Sequence, residues 1–297
     1  TAAIINTVAA ASGDVTLAAA DLDNLTVSSG GAIDGKEVTN KIVGGSYVAD
    51  GDITFDNKDL ALVSSATFDS GANVTLTVDG DILSNIITAA TNANLTGAGQ
   101  IGNNTIDAGE TVTLAGKAPG VGGVVDLLND TVLAKNIVAN SNIQNVSGGT
   151  YTSTEKTTMN ADGEISGVTV QAGGEANLGS VNGDIVNSSI EGTPVILNAA
   201  GDISNVAVTA QTTADLTAGT DISGTGVTAG GDVTIEATAG TIQGTTALVG
   251  GTMTLTAGKE IDHSGFTATG AITVEATALT DSSFISETGA INVGTVD

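Results

Sequence analysis

Apolar residues return along this chain at nearly constant intervals, and the positions between them alternate polar and apolar. One series runs Leu17, Ile33, Phe55, Leu76, Leu95, Leu114, Leu133, Met159, Leu178, Leu197, Leu216, Ile235, Leu255, Val274, Val293. From Met159 onward its steps are 19 or 20 residues. A second apolar row reads Leu22, Ile42, Leu62, Ile82, Ile101, then Ile165, Ile185, Ile203, Ile222, Ile242, Ile261, Leu279. A third follows it five residues later, through Val27, Tyr47, Ile87, Ile106, Val170, Ile190, Val208, Val227, Phe266 and Phe284. Self-similarity at a short fixed period marks a solenoid, whose repeats bury their apolar faces only by stacking on neighbours.

Within each piece the period is two rather than 3.6. Val74-Thr75-Leu76-Thr77-Val78 and Val233-Thr234-Ile235-Glu236-Ala237 alternate as half-buried strands do. Gly173-Gly174, Gly230-Gly231 and Gly250-Gly251 stand between such pieces, where glycine suits a tight corner. No stretch carries helical periodicity with caps. The pattern predicts an all-β, right-handed parallel β-helix of about fifteen coils of 19–20 residues, with three short strands per coil. At ~4.8 Å between paired strands the stack would be roughly 70 Å long. The expected organisation is one continuous repeat domain over 1–297, with an irregular or inserted coil around 134–158. There the step from Leu133 to Met159 lengthens to 26, which places extra residues near Ser147-Gly148-Gly149-Thr150-Tyr151.

Composition narrows the chemistry. Hydrophobic residues make up 40 % of the 297, yet only six are Phe or Tyr and none is Trp, so the core is narrow and aliphatic. Seven basic residues, all Lys, against 33 acidic ones give a net charge of −26. Such a surface repels nucleic-acid phosphates and anionic membrane leaflets alike. No apolar run reaches the ~20 residues of a membrane helix, so membrane insertion by helices is not expected. Zero cysteines removes thiol chemistry and disulfides and is compatible with export. An opening on Thr1 rather than Met reads as a chain processed or excised from something longer.

Candidate sites are few. The residue before the Leu22/Ile42 row is acidic in consecutive coils, at Glu164, Asp184, Asp202 and Asp221, with Asp81 and Glu260 further along. Stacking would set these carboxylates about 5 Å apart, where like charges repel. Either Ca²⁺, which takes several hard oxygen ligands, relieves that repulsion, or the carboxylates face water at a corner. Thr16, Thr54, Thr75, Thr113, Thr158, Thr234, Thr254 and Thr273 form an outward row interrupted by Asn94, Asn177 and Asp215. That row reads as strand-forming residues rather than an ice-binding array. His263 is the single histidine, so no two-His metal site or supported Ser–His–Asp triad exists. A glycosidase would need paired carboxylates in an aromatic-lined cleft, and aromatics are nearly absent. The expectation is a non-catalytic protein.

The units Gly183-Asp184-Ile185, Gly231-Asp232-Val233-Thr234-Ile235-Glu236-Ala237 and Thr252-Met253-Thr254-Leu255-Thr256-Ala257-Gly258 resemble the haemagglutinin-type repeats of filamentous haemagglutinin and related large bacterial exoproteins. The resemblance covers nearly the whole chain and is weakest over 115–158. It implies an exported β-helix at the bacterial cell surface, acting in adhesion or as a stalk. Its partners would be a host or neighbouring cell surface, or carbohydrate. The only prolines, Pro119 and Pro194, lie outside any Asn-Pro-Asn motif, so the chain does not look like the secretion domain of that family. The alternative is a filament or sheath subunit that self-associates end to end through open coil edges.

Overall fold

A computed structural model of the chain describes residues 2–117 and 124–295; Thr1, 118–123 (with Pro119) and 296–297 lie outside the described residues. Among the described residues there are strands and no helix, and the strands pair in parallel. Contacts divide the chain into two compact units, 1–154 and 155–297.

In each unit the chain winds as a parallel β-solenoid, three short strands to the coil. In 1–154 the row Ile4, Leu22, Ile42, Val63, Ile82, Ile101, Leu127, Val146 stacks strand upon strand. A second row runs Ala9, Val27, Tyr47, Phe68, Ile87, Ile106, Val132. In 155–297 the corresponding rows are Ile165 to Leu279 and Val170 to Phe284, in the register that the sequence suggests. The Met159–Leu178–Leu197–Leu216–Ile235–Leu255–Val274–Val293 row also stacks without a slip. Because successive strand residues point to opposite faces, this alternation puts one apolar set inside and one polar set outside.

Three phase assignments change. Leu133 pairs with Asp107 on the outer face and is 44 % exposed, whereas Leu114 pairs with Ala139. The longest step therefore falls between Leu114 and Ala139, and the pairing shifts register again within 134–158, at Ala139/Ser141 and Ile143/Val146. Gly148 and Gly149 form an ordinary corner, with the same left-handed φ values (67° and 94°) as Gly44 and Gly45 (66° and 92°). Ile33 pairs with Val15 and Ile53, one inward position ahead of the leucine row. Val63 rather than Leu62 pairs with Ile42 and Ile82. Leu62 and Val63 are adjacent apolar candidates of which only Val63 fits the stack, whereas Leu133 stands six residues before Ala139 and the leucine-row position beyond Ile33 is Gly35.

A residue with positive φ recurs from coil to coil, three positions before the Val27/Tyr47 row, and Gly45, Asn142 and Gly149 hold positive φ besides. In 1–154 the recurring residues are Asn6, Asn24, Gly44, Ser65, Ser84, Asn103, Asn129 and Gly148. In 155–297 they are Gly167, Asn187, Asn205, Gly224, Gly244, His263 and Asp281. Left-handed backbone favours Gly, then Asn and Asp. This geometry accounts for His263, which occupies a corner and touches Asp262 (2.5 Å) and Asp281 (3.5 Å). The N–H of these corner residues bonds the carbonyl of a neighbouring coil, as Asn24 does to Val43 and Asn205 to Ser223, both at 2.9 Å.

Candidate functional site

The predicted acidic residues stand one per coil beside the stacked Ile row, and their oxygens are engaged. Asp202 N–H donates to Asp184 Oδ1 at 2.7 Å, and Asp221 N–H donates to Asp202 Oδ1 at 3.0 Å. Thr241 donates both its N–H (2.7 Å) and its hydroxyl (3.1 Å) to Asp221 Oδ1. The Thr220 hydroxyl also donates to Asp202. Asp81 receives Gln100 N–H in the same way at 2.8 Å. Glu164 begins the row and is exposed. Among the described residues no three carboxylates or imidazoles converge as a group that could hold a metal ion. The geometry gives Asp184, Asp202 and Asp221 a common task. Each caps a backbone N–H of the next coil, at the corner where the ladder of strand hydrogen bonds is interrupted.

The corner before the leucine-row strand uses the same device. Asp14 accepts from Ala32 N–H, Asp52 from Asn73 N–H, and Asp232 from Thr252 N–H and hydroxyl at 2.7 and 2.9 Å. Those two bonds hold the Asp232 carboxyl below the usual carboxylate range. Glu175 is likewise held low, chiefly by its hydrogen bond from Lys156.

A second polar ladder lies inside the first unit, where the sequence pattern predicts only apolar packing. Asn85, Asn104 and Asp130 follow the left-handed residue in consecutive coils, and each is almost wholly buried. Asn85 Oδ1 accepts Ala66 N–H (3.0 Å), and Asn104 Oδ1 accepts the N–H and Nδ2–H of Asn85 (2.9 and 3.0 Å). Asp130 Oδ1 accepts the N–H and Nδ2–H of Asn104 (2.8 and 3.0 Å). The signal was present in the sequence as a polar residue two positions before Ile87, Ile106 and Val132.

On the outside of 155–297, the middle strands form an open trough of about 520 Å³. Ala207, Gly226, Gly265, Thr228, Leu248 and Thr267 are among the residues that line it. None of its lining residues is charged. Leu248 is 59 % exposed there. On a chain of net charge −26, such a face can receive a neutral, hydroxyl-bearing or weakly apolar partner without desolvating an ion.

No protein-family model, curated protein or solved structure matches the chain.

Proposed function

We propose that the chain is a non-catalytic structural protein of the bacterial cell exterior, the β-solenoid shaft of an adhesin or exoprotein. The observation that carries this reading is the repetition of one corner and one set of aliphatic rows from coil to coil within each unit. Such stacks resist proteolysis and bending, because each coil's backbone groups are already paired with its neighbours. The acidic, cysteine-free composition suits exposure to solvent in an oxidising compartment. Attachment would use the outer strand face, with the uncharged trough at Gly226, Leu248 and Gly265 as its contact for surface carbohydrate.

The test is retention of beads coated with the purified chain on host-cell layers, bacterial lawns and immobilised neutral polysaccharide. The expected result is retention on at least one surface, reduced by Leu248→Asp with the circular dichroism spectrum unchanged. Retention no better than beads coated with serum albumin would overturn the attachment role. Release of reducing sugar from the polysaccharide would overturn the non-catalytic assignment.

A further inference from the structure

Asn94 and Asn103 open the same tripeptide pattern, Asn-x-Ser/Thr, and the fold treats them differently. The pattern occurs seven times, at Asn24, Asn73, Asn94, Asn103, Asn129, Asn145 and Asn187, never with proline in the middle. It is the acceptor pattern for N-linked sugar, a bulky group that needs an accessible amide at the surface. Strand alternation alone generates it wherever an outward Asn precedes an outward Thr, so the fold decides which copies can serve. Three copies are committed to the sheet, and all three asparagines are half-buried. Asn73 Nδ2 donates to Asp52 Oδ1 at 2.9 Å, while its Oδ1 accepts from the Thr91 hydroxyl (2.7 Å) and Asn92 Nδ2 (2.9 Å). Asn145 Nδ2 donates to Asp126 Oδ1 at 3.0 Å. Asn94 lies within strand Ala93–Gly97, paired to Thr75 on one side and Thr113 on the other. An enzyme would have to peel that strand from both neighbours to bind the tripeptide.

The other four copies fall on the left-handed corner. Asn24, Asn103, Asn129 and Asn187 hold φ at 49°, 56°, 53° and 52°. In each, the Asn and its hydroxyl partner (Thr26, Thr105, Thr131 or Ser189) are exposed, and the residue between them is buried. Asn103 stands between strands Gln100–Gly102 and Thr105–Ala108, and Asn129 between Val125–Leu128 and Thr131–Ser141. Asn187 stands between Ile185–Val186 and Ser189–Gly192. Each asparagine therefore sits in a turn outside the strands, where polar side chains meet solvent and modifying enzymes. Asn24 Nδ2 is turned to Asp23 Oδ1 at 2.9 Å. Among the described residues, Asn103, Asn129 and Asn187 make no side-chain hydrogen bond.

We propose that Asn103, Asn129 and Asn187 are acceptor sites for N-linked sugar. In the transfer, Nδ2 forms a bond to the anomeric carbon of an activated sugar. The bond from that carbon to the donor's phosphate oxygen breaks, its electron pair leaves on the phosphate, and one Nδ2 proton passes to a base of the transferase. The donor is a sugar carried on a diphosphate, whether that diphosphate is linked to a nucleotide or to a lipid. Sugar at these corners adds bulk and hydration without adding charge to a chain that already carries −26. The inference rests on the proposed export of the chain for its encounter with such an enzyme, and on the corner alone for the choice of sites.

The experiment incubates the folded full chain with transferases that recognise Asn-x-Ser/Thr, in two arms. One arm uses a soluble enzyme with a uridine diphosphate hexose, the other a membrane oligosaccharyltransferase with a polyprenyl diphosphate oligosaccharide. Peptide mapping by mass spectrometry reads the occupancy of each asparagine. Peptides cut from the same chain, and so freed of the fold, establish that each enzyme accepts these tripeptides. The expected result is sugar on Asn103, Asn129 and Asn187 of the folded chain in at least one arm, with Asn73, Asn94 and Asn145 left bare; the productive arm identifies the donor. Thr105→Ala, Thr131→Ala and Ser189→Ala remove an exposed hydroxyl and leave the asparagine in place, so each should abolish transfer at its own site, whereas Thr105→Ser should retain it. Bare asparagines at all three corners in both arms would overturn the proposal. Equal occupancy of Asn73, Asn94 and Asn145 would overturn it as well, because the corner would not be selecting the sites. Bead retention is read without any transferase, so its failure and the failure of this transfer are separate results.

Discussion

A β-carbon on Gly35 would stand 2.1 Å from Cε1 of Phe55, so the ring and the missing side chain share one volume. Gly35 sits where its coil would otherwise carry a leucine-row residue, and Phe55 from the next coil fills the gap. Phe55 cannot swing aside. It packs edge-on against Tyr47 and Phe68 at centroid distances of 5.3 and 5.8 Å, and those two rings stack at 5.2 Å. Gly35→Ala is therefore expected to destabilise the first unit by about 1–3 kcal/mol, the usual result of overpacking. Combining it with Phe55→Leu should recover part of that loss, giving a coupling of about 0.5–3 kcal/mol in a urea-denaturation double-mutant cycle. Simple additivity would show that the two positions do not share space.

The inward and outward assignments can be tested within one pair of strands. Leu216 is fully buried between Leu197 and Ile235, whereas Thr234 lies on the outer face beside Asp215. Leu216→Ala should cost about 2–5 kcal/mol through lost burial and a residual cavity. Thr234→Ala should stay within about 0.5 kcal/mol. Similar losses in a thermal melt would contradict the register.

Left-handed corners offer a route to a more stable chain. Ser65 and Ser84 both hold φ at 57°, where serine gains little from its side chain. Ser84→Gly is expected to raise stability by about 0.5–1 kcal/mol, and Asn205→Val to lower it by about 1–2 kcal/mol. The comparison requires only midpoints of urea unfolding. A stabilising valine would refute the backbone argument.

Carboxylates that cap the next coil should be replaceable by amides, which keep the acceptor oxygen, but not by methyl groups. Asp202→Asn should leave the melting temperature nearly unchanged, whereas Asp202→Ala, which strands the Asp221 N–H, should cost about 1 kcal/mol. Asp232 adds a pH signature. Its carboxyl is held low by Thr252, so its contribution is present above the unfolded aspartate range and lost as pH falls through the folded value. Asp232→Asn should flatten the acid limb of the melt profile; an unchanged limb would exclude that linkage.

Much of this architecture was legible because a solenoid repeats its errors as well as its rules. From Ile165 on, the isoleucine row of the second unit follows the predicted register because each coil offers one β-branched residue at one spacing. Legibility failed where neighbouring positions were equally apolar. Leu62 and Val63 differ by one residue, yet that single step exchanges the inner face for the outer one. Ala139 escaped because a small side chain in the leucine row does not announce itself, and Leu133 nearby did. The acidic row was located but its hydrogen bonds were not: sequence spacing gives charge-to-charge distance and says nothing of which N–H group each carboxylate faces. Asn85 and Asn104 were missed for a related reason. Polar side chains belong in a core only when the geometry of the turn leaves N–H groups there to satisfy.

Corner, cap and row all recur with the coil, and this has a consequence for how such a chain changes over generations. Excising Ile203–Asp221 would set Asp202 directly before Ile222, the same neighbour type it has now. The new junction would present Ile185 with Ile222 in place of Ile203, and Asp184 would cap the relocated coil as it caps the present one. Gene duplications and deletions of one repeat therefore alter reach in whole steps and leave every contact type intact. Selection can tune the span of this protein as one adjusts a ladder, by the rung.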